Sequence, residues 1–343
     1  MRILFAGTPA VAVPSLDALL TSGHEVVAVL TRPDAPVGRK RVLTPSPVKT
    51  RAIEAGLPVI EADRLRGEVL SELEALDLDA VAVVAYGALA GPRALAAVRH
   101  GWFNLHFSLL PDWRGAAPLQ RAIMAGQDTS GVTVFRLDTG MDTGDVVLRR
   151  EFDLPEVDAG AALEDYAHRG APVLVEALDA VAAETATFEP QPAAGTHAEK
   201  ILPAEARLDF ALSAQQVSAH ARGVSPAPGP WAELDGKRTK LAGIRVAHDV
   251  TTPGVGVVTT ATTAAGDPTG ETVVIGCAEG AVSVERIQPS GKPMTDAPAF
   301  LRGRQGTVTF DPAPADSAPD ATLAAEAPTT PAATPTTDTE TGR

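Results

Sequence analysis

The chain has 343 residues, 45% of them apolar and 21% charged, a globular composition rather than a fibrous or wholly disordered one. At 35.3 kDa it has room for two domains. A net charge of −14 excludes a general nucleic-acid coat, so any nucleic-acid contact must come from a local basic patch. The single cysteine, Cys277, excludes an intrachain disulfide and a cysteine-based zinc cluster, which fits a reducing compartment. No apolar run reaches the ~18 residues of a spanning helix. Pro9, Pro14 and Asp17 break the apolar opening, and no cleavage pattern follows it. The expectation is a folded cytoplasmic protein without membrane partners.

The first half alternates short apolar strands with helical stretches. Residues 2–6 read as a strand ended by Gly7-Thr8-Pro9, and a helix follows through Leu16, Leu19 and Leu20. Pro14 fits its first turn and Gly23 its end. Further strands are expected at 25–30, 79–86, 102–107 and 132–137, and helical patterns at 46–56, 118–125 and 160–183. The run at 79–86 (DAVAVVAY) is continuously apolar, as in a strand buried on both faces of a parallel sheet. This rhythm predicts an α/β fold: a doubly wound, mostly parallel sheet with its site at the carboxyl ends of the strands. A polar stretch at 185–204 reads as a linker between a first domain, 1–184, and a second, 205–310. In the second, a helix at 214–222 precedes Thr/Val-rich strands at 244–248, 255–260, 272–276 and 281–287, the pattern of a small antiparallel β domain. The tail from 311 to 343 is Pro/Ala/Thr-rich and acidic, and is expected to be disordered.

Three stretches carry candidate chemistry. On the strand at 102–107, alternate residues share a face, so Asn104 and His106 point the same way and Leu105 the other. An amide beside an imidazole offers a hydrogen-bond donor and a proton shuttle. Alone, Asn-x-His also fits a strand-end amide with a satisfied histidine. Next, residues 137–145 (LDTGMDTGD) set three carboxylates among glycines, without the spacing of a calcium loop. A carboxylate from this loop beside the imidazole would fix its tautomer. Third, residues 32–51 hold six basic residues and one acid, a local charge of +5 on an acidic protein. A solvated loop explains such a run, and so does phosphate contact. The turn Ala6-Gly7-Thr8-Pro9 lacks the GxGxxG spacing of a dinucleotide site.

Taken together these stretches resemble the methionyl-tRNA formyltransferases over residues 1–310. The resemblance is carried by Leu4–Pro9, by Arg32-Pro33-Asp34 through Arg39-Lys40-Arg41 to Pro45-Ser46-Pro47-Val48-Lys49, and by Val84-Ala85-Tyr86-Gly87. It continues in Asn104-Leu105-His106-Phe107-Ser108-Leu109-Leu110-Pro111, Trp113-Arg114-Gly115-Ala116-Ala117-Pro118 and Met141-Asp142-Thr143-Gly144-Asp145. Gly291-Lys292-Pro293-Met294 and residues 222–231 match more loosely.

The resemblance implies transfer of the formyl group of 10-formyltetrahydrofolate to the free amino group of methionyl initiator tRNA by a monomer that needs no metal. It puts the catalytic roles on Asn104, His106 and Asp142, and tetrahydrofolate contacts on Ser108, Leu109, Leu110 and Pro111. It puts tRNA contacts on Arg39, Lys40, Arg41, Lys49 and Arg222, with Arg39 foremost, and makes the second domain an OB-like β-barrel. In the chemistry so implied, Asn104 and a protonated His106 donate to the developing oxyanion while Asp142 orients the imidazole. Phe107 stands where that family usually has a small residue, which is expected to reshape the pocket wall. The rival acceptors are a nucleotide-sugar amine, glycinamide ribonucleotide, or water in a formyltetrahydrofolate hydrolase. These share the trio but lack the basic loop or, for the hydrolase, add a domain. A non-catalytic tRNA-binding protein would not need an intact trio.

Overall fold

The structure, a computed structural model, describes residues 1–38, 40–261, 272–304 and 306–314. Arg39 and the tail beyond residue 314 lie outside the described residues. The first half runs β1 (Arg2–Gly7), α1 (Val13–Leu20), β2 (Glu25–Thr31), β3 (Ala35–Val37), β4 (Val42–Thr44), α2 (Pro47–Glu54), β5 (Val59–Glu61), α3 (Glu68–Ala75) and β6 (Ala80–Val84). It continues with α4 (Pro92–Ala96), β7 (Trp102–His106), β8 (Arg114–Gly115), α5 (Pro118–Met124), β9 (Thr129–Arg136), β10 (Val146–Asp153) and α6 (Ala159–Ala182).

Seven of these strands form one sheet in the order β10-β9-β7-β6-β1-β2-β5. The five from β5 to β7 are parallel, and β9 and β10 extend the sheet antiparallel. The chain starts at the centre, builds outward through β2 and β5, then returns to add β6 and β7 on the other side. That reversal makes a topological switch point at the carboxyl ends of β1 and β6, the place where open α/β sheets bind their ligands. Ile3, Phe5, Phe103 and Leu105 face the core shared with α1 and α6. Leu4, Ala6, Val81 and Val83 face the opposite core, with Leu70 and Leu73 of α3. Gly7 is required where β1 turns: a Cβ there would lie 2.8 Å from the Phe5 ring and 2.9 Å from Ala12. Ser46 caps α2, its hydroxyl accepting the Lys49 N–H at 3.0 Å, and Pro47 supplies the first helical position. Pro14 sits in the first turn of α1 as expected, but Thr21, not Gly23, closes that helix.

Two sheet strands have no counterpart in the sequence reading. β5 is too short to show a period, and β10 is an edge strand whose half-exposed Arg149 and exposed Arg150 hide its pairing.

After β11 (His197–Ala198) and α7 (Ala214–Gly223), the second half holds β12 (Trp231–Leu234), β13 (Lys237–Ala242), β14 (Arg245–Ala247), β15 (Val257–Ala261) and β16 (Thr272–Gly276). It ends with β17 (Ala281–Ser283), β18 (Arg286–Gln288), β19 (Thr295–Asp296), α8 (Ala297–Arg302) and β20 (Val308–Thr309). Two antiparallel sheets, β12-β13-β18-β19 and β14-β17-β16-β15-β20, enclose one core that includes Phe210, Leu241, Ile275, Ile287 and Phe310. The expected strand at 281–287 is two strands, because the chain changes sheets at Val284–Glu285. The β12–β13 hairpin turns on Asp235-Gly236, both at positive φ (54° and 68°), a dipeptide signal that the sequence reading passed over. Asp311 belongs to this fold rather than to the tail: its N–H donates to the Glu233 carbonyl, and its carboxylate accepts the Gly236 N–H.

Helix α7 packs against α5. Near this contact the buried Arg121 guanidinium donates to the Glu199 carbonyl and pairs with Glu205, and His220 donates to the Glu205 carbonyl at 2.7 Å. Burial lowers the pKa of His24, His106 and His220. With each folded value below the unfolded ~6.5, the unfolded chain binds more protons in between, so stability falls as pH drops below about 6.5. Melting temperature is expected to be lower at pH 5.5 than at pH 7.5, and His220→Gln should narrow that gap.

Candidate active site

The site grows from the end of β7. Leu105 packs into the core on the α6 side, which turns Asn104 and His106 to the other face. The His106 ring is 4% exposed and stands edge-on to Phe135, with centroids 6.3 Å apart. Its Nε2 lies 2.9 Å from the Trp113 carbonyl. A carbonyl only accepts, so Nε2 carries the proton. Nδ1 therefore faces Asp142, whose Oδ2 is 3.8 Å away. Burial pushes the imidazole below its ordinary pKa, against the pull of Asp142 and of the Trp113 carbonyl, so the resting ring is neutral. The Asn104 side chain is half-buried, and its amide has no partner among the described residues.

The loop from 137 to 145 sorts its carboxylates. Asp138 closes the turn, accepting the Gly140 N–H at 2.9 Å and the Thr143 hydroxyl. Asp145 pairs with Arg136 at 2.9 Å. Only Asp142 reaches the imidazole. Its backbone is at φ 53°, a left-handed conformation unfavourable for a side chain with a Cβ, and its Oδ2 accepts the Gly115 N–H at 2.8 Å. Gly144 is required two residues on, where a Cβ would collide with the Arg136 carbonyl.

Residues 108–111 continue the chain just beyond His106. Ser108 is fully buried, its hydroxyl donating to the Asp112 carbonyl at 2.6 Å. Leu110 packs against Phe135 and Val146. The Leu110 N–H donates to the Thr133 hydroxyl, and its carbonyl accepts Arg149. Ser108 and Leu110 thus set the shape of the loop, while Leu109 and Pro111 keep partial surface. Phe107 does not form a pocket wall: it points to the core on the α6 side, opposite His106.

The basic stretch is a hairpin, β3 against β4, rather than an irregular loop. Lys40 and Arg41 are exposed at its tip, beside Val37, Val42 and Leu43, the last 67% exposed. Lys49 is not a free cation: Asp34 (2.7 Å) and Glu61 both pair with it, tying the hairpin base to β5. Arg222 is likewise not presented for a phosphate. It is 8% exposed on α7, among Glu156, Asp158, Asp128 and Arg245.

A family model described as "Formyl transferase" matches residues 1–180, and "Formyl transferase, C-terminal domain" matches 200–305. A methionyl-tRNA formyltransferase of Arthrobacter sp. (strain FB24) is 48% identical over 305 residues, which are 89% of this chain and 97% of that one. The chain belongs to the methionyl-tRNA formyltransferase family. A member from Ruegeria pomeroyi is 41% identical over 306 residues, 88% of this chain and 97% of its own. Solved structures share the fold. WlaRD, a sugar 3N-formyl transferase crystallised with dTDP and 5-N-formyl-THF, superposes with a TM-score of 0.60 at 17% identity, covering 85% of this chain and 99% of its own. HypX from Aquifex aeolicus in complex with tetrahydrofolic acid gives 0.59 at 18%, covering 91% and 51%. As a methionyl-tRNA formyltransferase, the chain is a formyl-transferring enzyme. No helix among the described residues is long and apolar enough to cross a membrane.

Around the trio of this formyltransferase stand groups that sequence reasoning missed. The Trp113 carbonyl and the Gly115 N–H are backbone atoms, invisible to residue type. Trp113 itself sits at φ 59°. Glu189, Gln191 and Thr196 come from the stretch read as a linker, which instead bonds to residues around the site along much of its length.

Proposed function

We propose that the chain transfers the formyl group of 10-formyltetrahydrofolate to the α-amino group of methionine on initiator tRNA. The observation that carries this reading is the buried His106 ring set between the Trp113 carbonyl and Asp142, with Asn104 on the same strand face. In the reaction the amine nitrogen bonds to the formyl carbon, the formyl oxygen becomes an oxyanion, and the bond to folate N10 then breaks. The Asn104 amide donates to that oxygen; one such donor is worth about 3 kcal/mol of barrier. A free α-amino group titrates near pH ~8, so a neutral fraction exists at pH 7. Nδ1 of His106 takes the proton the amine releases. The imidazolium so formed then has both nitrogens partnered, Nε2 by the Trp113 carbonyl and Nδ1 by Asp142, which offsets the cost of charging a buried ring. His106 returns the proton to N10 as it leaves. The imidazole therefore starts as a base, not as the cationic oxyanion donor that the sequence reading implied.

Leu109 and Pro111 are the parts of the 108–111 loop left to meet the folate. Lys40 and Arg41 at the hairpin tip, with Arg39, which lies outside the described residues, would grip tRNA phosphates, and the two C-terminal sheets, read as an OB-like barrel, would support the rest of the tRNA. The test is labelled 10-formyltetrahydrofolate offered with methionylated initiator tRNA and, separately, with an amino sugar nucleotide, using wild type and Lys40→Ala/Arg41→Ala. Label should appear on the tRNA. The double variant should bind tRNA more weakly, with its salt slope smaller by about 1 for each phosphate no longer gripped. Label on the sugar alone, or an unchanged slope, overturns the corresponding part.

A further inference from the structure

Gln191 is placed where the interdomain stretch passes over the Asp142 loop. Its amide nitrogen donates to two backbone carbonyls, those of Asp142 (3.0 Å) and Gly144 (2.7 Å). Its amide oxygen accepts both Nε (3.2 Å) and a terminal nitrogen (2.9 Å) of Arg114. Arg114 is 4% exposed, and its guanidinium also donates to the Pro192 and Ala193 carbonyls. The residue after it, Gly115, is the one whose N–H holds the Asp142 carboxylate. Asp142 is thus gripped twice from one short strand: at its side chain by the backbone of β8, and at its main chain by the β8 arginine acting through Gln191. The stretch is stitched down on both sides of Gln191. Glu189 pairs with Val146 by backbone bonds and with Arg149 at 2.7 Å. His197 and Ala198 pair with Arg114 and Gly115.

We infer that Gln191, held by Arg114, is a positioning residue for formyl transfer: it fixes the left-handed backbone at Asp142 and so sets where the carboxylate meets His106. Asp142 lies at φ 53°, a conformation that needs its surroundings to hold it. Hydrogen bonds to the carbonyls of Asp142 and Gly144 supply that hold from outside the loop. Without them the loop relaxes, and the 3.8 Å separation between Oδ2 and Nδ1 is no longer set. The binding surfaces at the hairpin tip and at Leu109 and Pro111 do not involve Gln191, so its effect falls on the chemical step.

The inference rests on the proposed role of Asp142, and a double-mutant cycle separates the two. Full-length wild type, Gln191→Ala, Asp142→Asn and the double variant are assayed for kcat and for KM of both substrates. Gln191→Ala should lower kcat by up to about 100-fold, the scale of a misplacement of about 1 Å, with both KM values changed less than about threefold. In the Asp142→Asn background the same change should cost less than about threefold, because the group it positions is already lost. Gln191→Glu keeps a partner for Arg114 but sets an oxygen against two carbonyls; it should fold and lose kcat to a similar degree. A full-sized loss from Gln191→Ala in both backgrounds, a loss confined to KM, or full kcat in Gln191→Glu overturns the inference. Undiminished kcat in Asp142→Asn overturns the role of Asp142 instead.

Discussion

His106→Gln is expected to lower kcat by about 10³-fold while leaving the folded state nearly as stable as wild type. General acid–base groups contribute roughly 10²–10⁴, and the proposed cycle asks His106 to act twice, as base toward the amine and as acid toward N10. Glutamine cannot do either, yet its side-chain N–H can still reach the Trp113 carbonyl that Nε2 occupies at 2.9 Å. His106→Ala removes that donor as well and leaves a buried carbonyl unpaired, at a cost of about 1–3 kcal/mol. The two variants should therefore match in activity and differ in melting temperature. The pH profile gives a second check. The neutral ring is the active form, and burial lowers its pKa. The amine's own ionisation near pH ~8 gives kcat/KM an acid limb of slope 1 in every variant; in wild type the limb should steepen to slope 2 below the ordinary histidine pKa of about 6.5, and His106→Gln should lose that steepening. A steepening that begins above that value, or one that survives the substitution, would assign the proton transfer to another group.

The parts of this site legible in the sequence are those that depend on local repeat. Asn104 and His106 share a face because a strand alternates, and Leu105 confirms it by packing on the other side. The continuous apolar run at 79–86 announced a strand buried on both faces, and β6 is one. Asp142 was reached only through resemblance, since nothing in residues 137–145 tells one carboxylate from the other two. The structure separates them by partner: Thr143 for Asp138, Arg136 for Asp145, and the imidazole for Asp142. Contacts distant along the chain were not legible. Lys49 counted toward a basic run, but Glu61 on β5, a strand too short to foresee, shares it with Asp34. Arg222 took its tRNA role from the resemblance alone, and α7 buries it near Glu156, Asp158 and Asp128. The stretch 185–204 looked like a tether because its prolines and alanines show no period. From Glu189 onward, the bonds it makes to the first domain reach residues 40 to 83 positions earlier, which composition does not encode.

Asn104→Asp should be more damaging than Asn104→Ala, although it is the closer match in shape. The amide is the one polar side-chain group on the site face of β7 with no partner among the described residues, so it is free to donate to a group in the crevice. Loss of one oxyanion donor costs about 10²–10³ in kcat, and Asn104→Ala is expected to fall in that range with KM nearly unchanged, since the ground-state formyl oxygen carries little charge. An aspartate at 104 sets a second carboxylate near the developing oxyanion and near His106. It repels the charge the donor would have stabilised, and it raises the pKa of the imidazole, holding more of it in the cationic form that cannot accept the amine proton. Both effects act against the proposed reaction, so kcat should drop about tenfold further than in Asn104→Ala, and the part of the acid limb that belongs to His106 should move to higher pH. If Asn104→Asp instead retained more activity than Asn104→Ala, the side chain at 104 would be filling space or accepting a hydrogen bond rather than donating one, and the oxyanion would have to be stabilised by a backbone N–H.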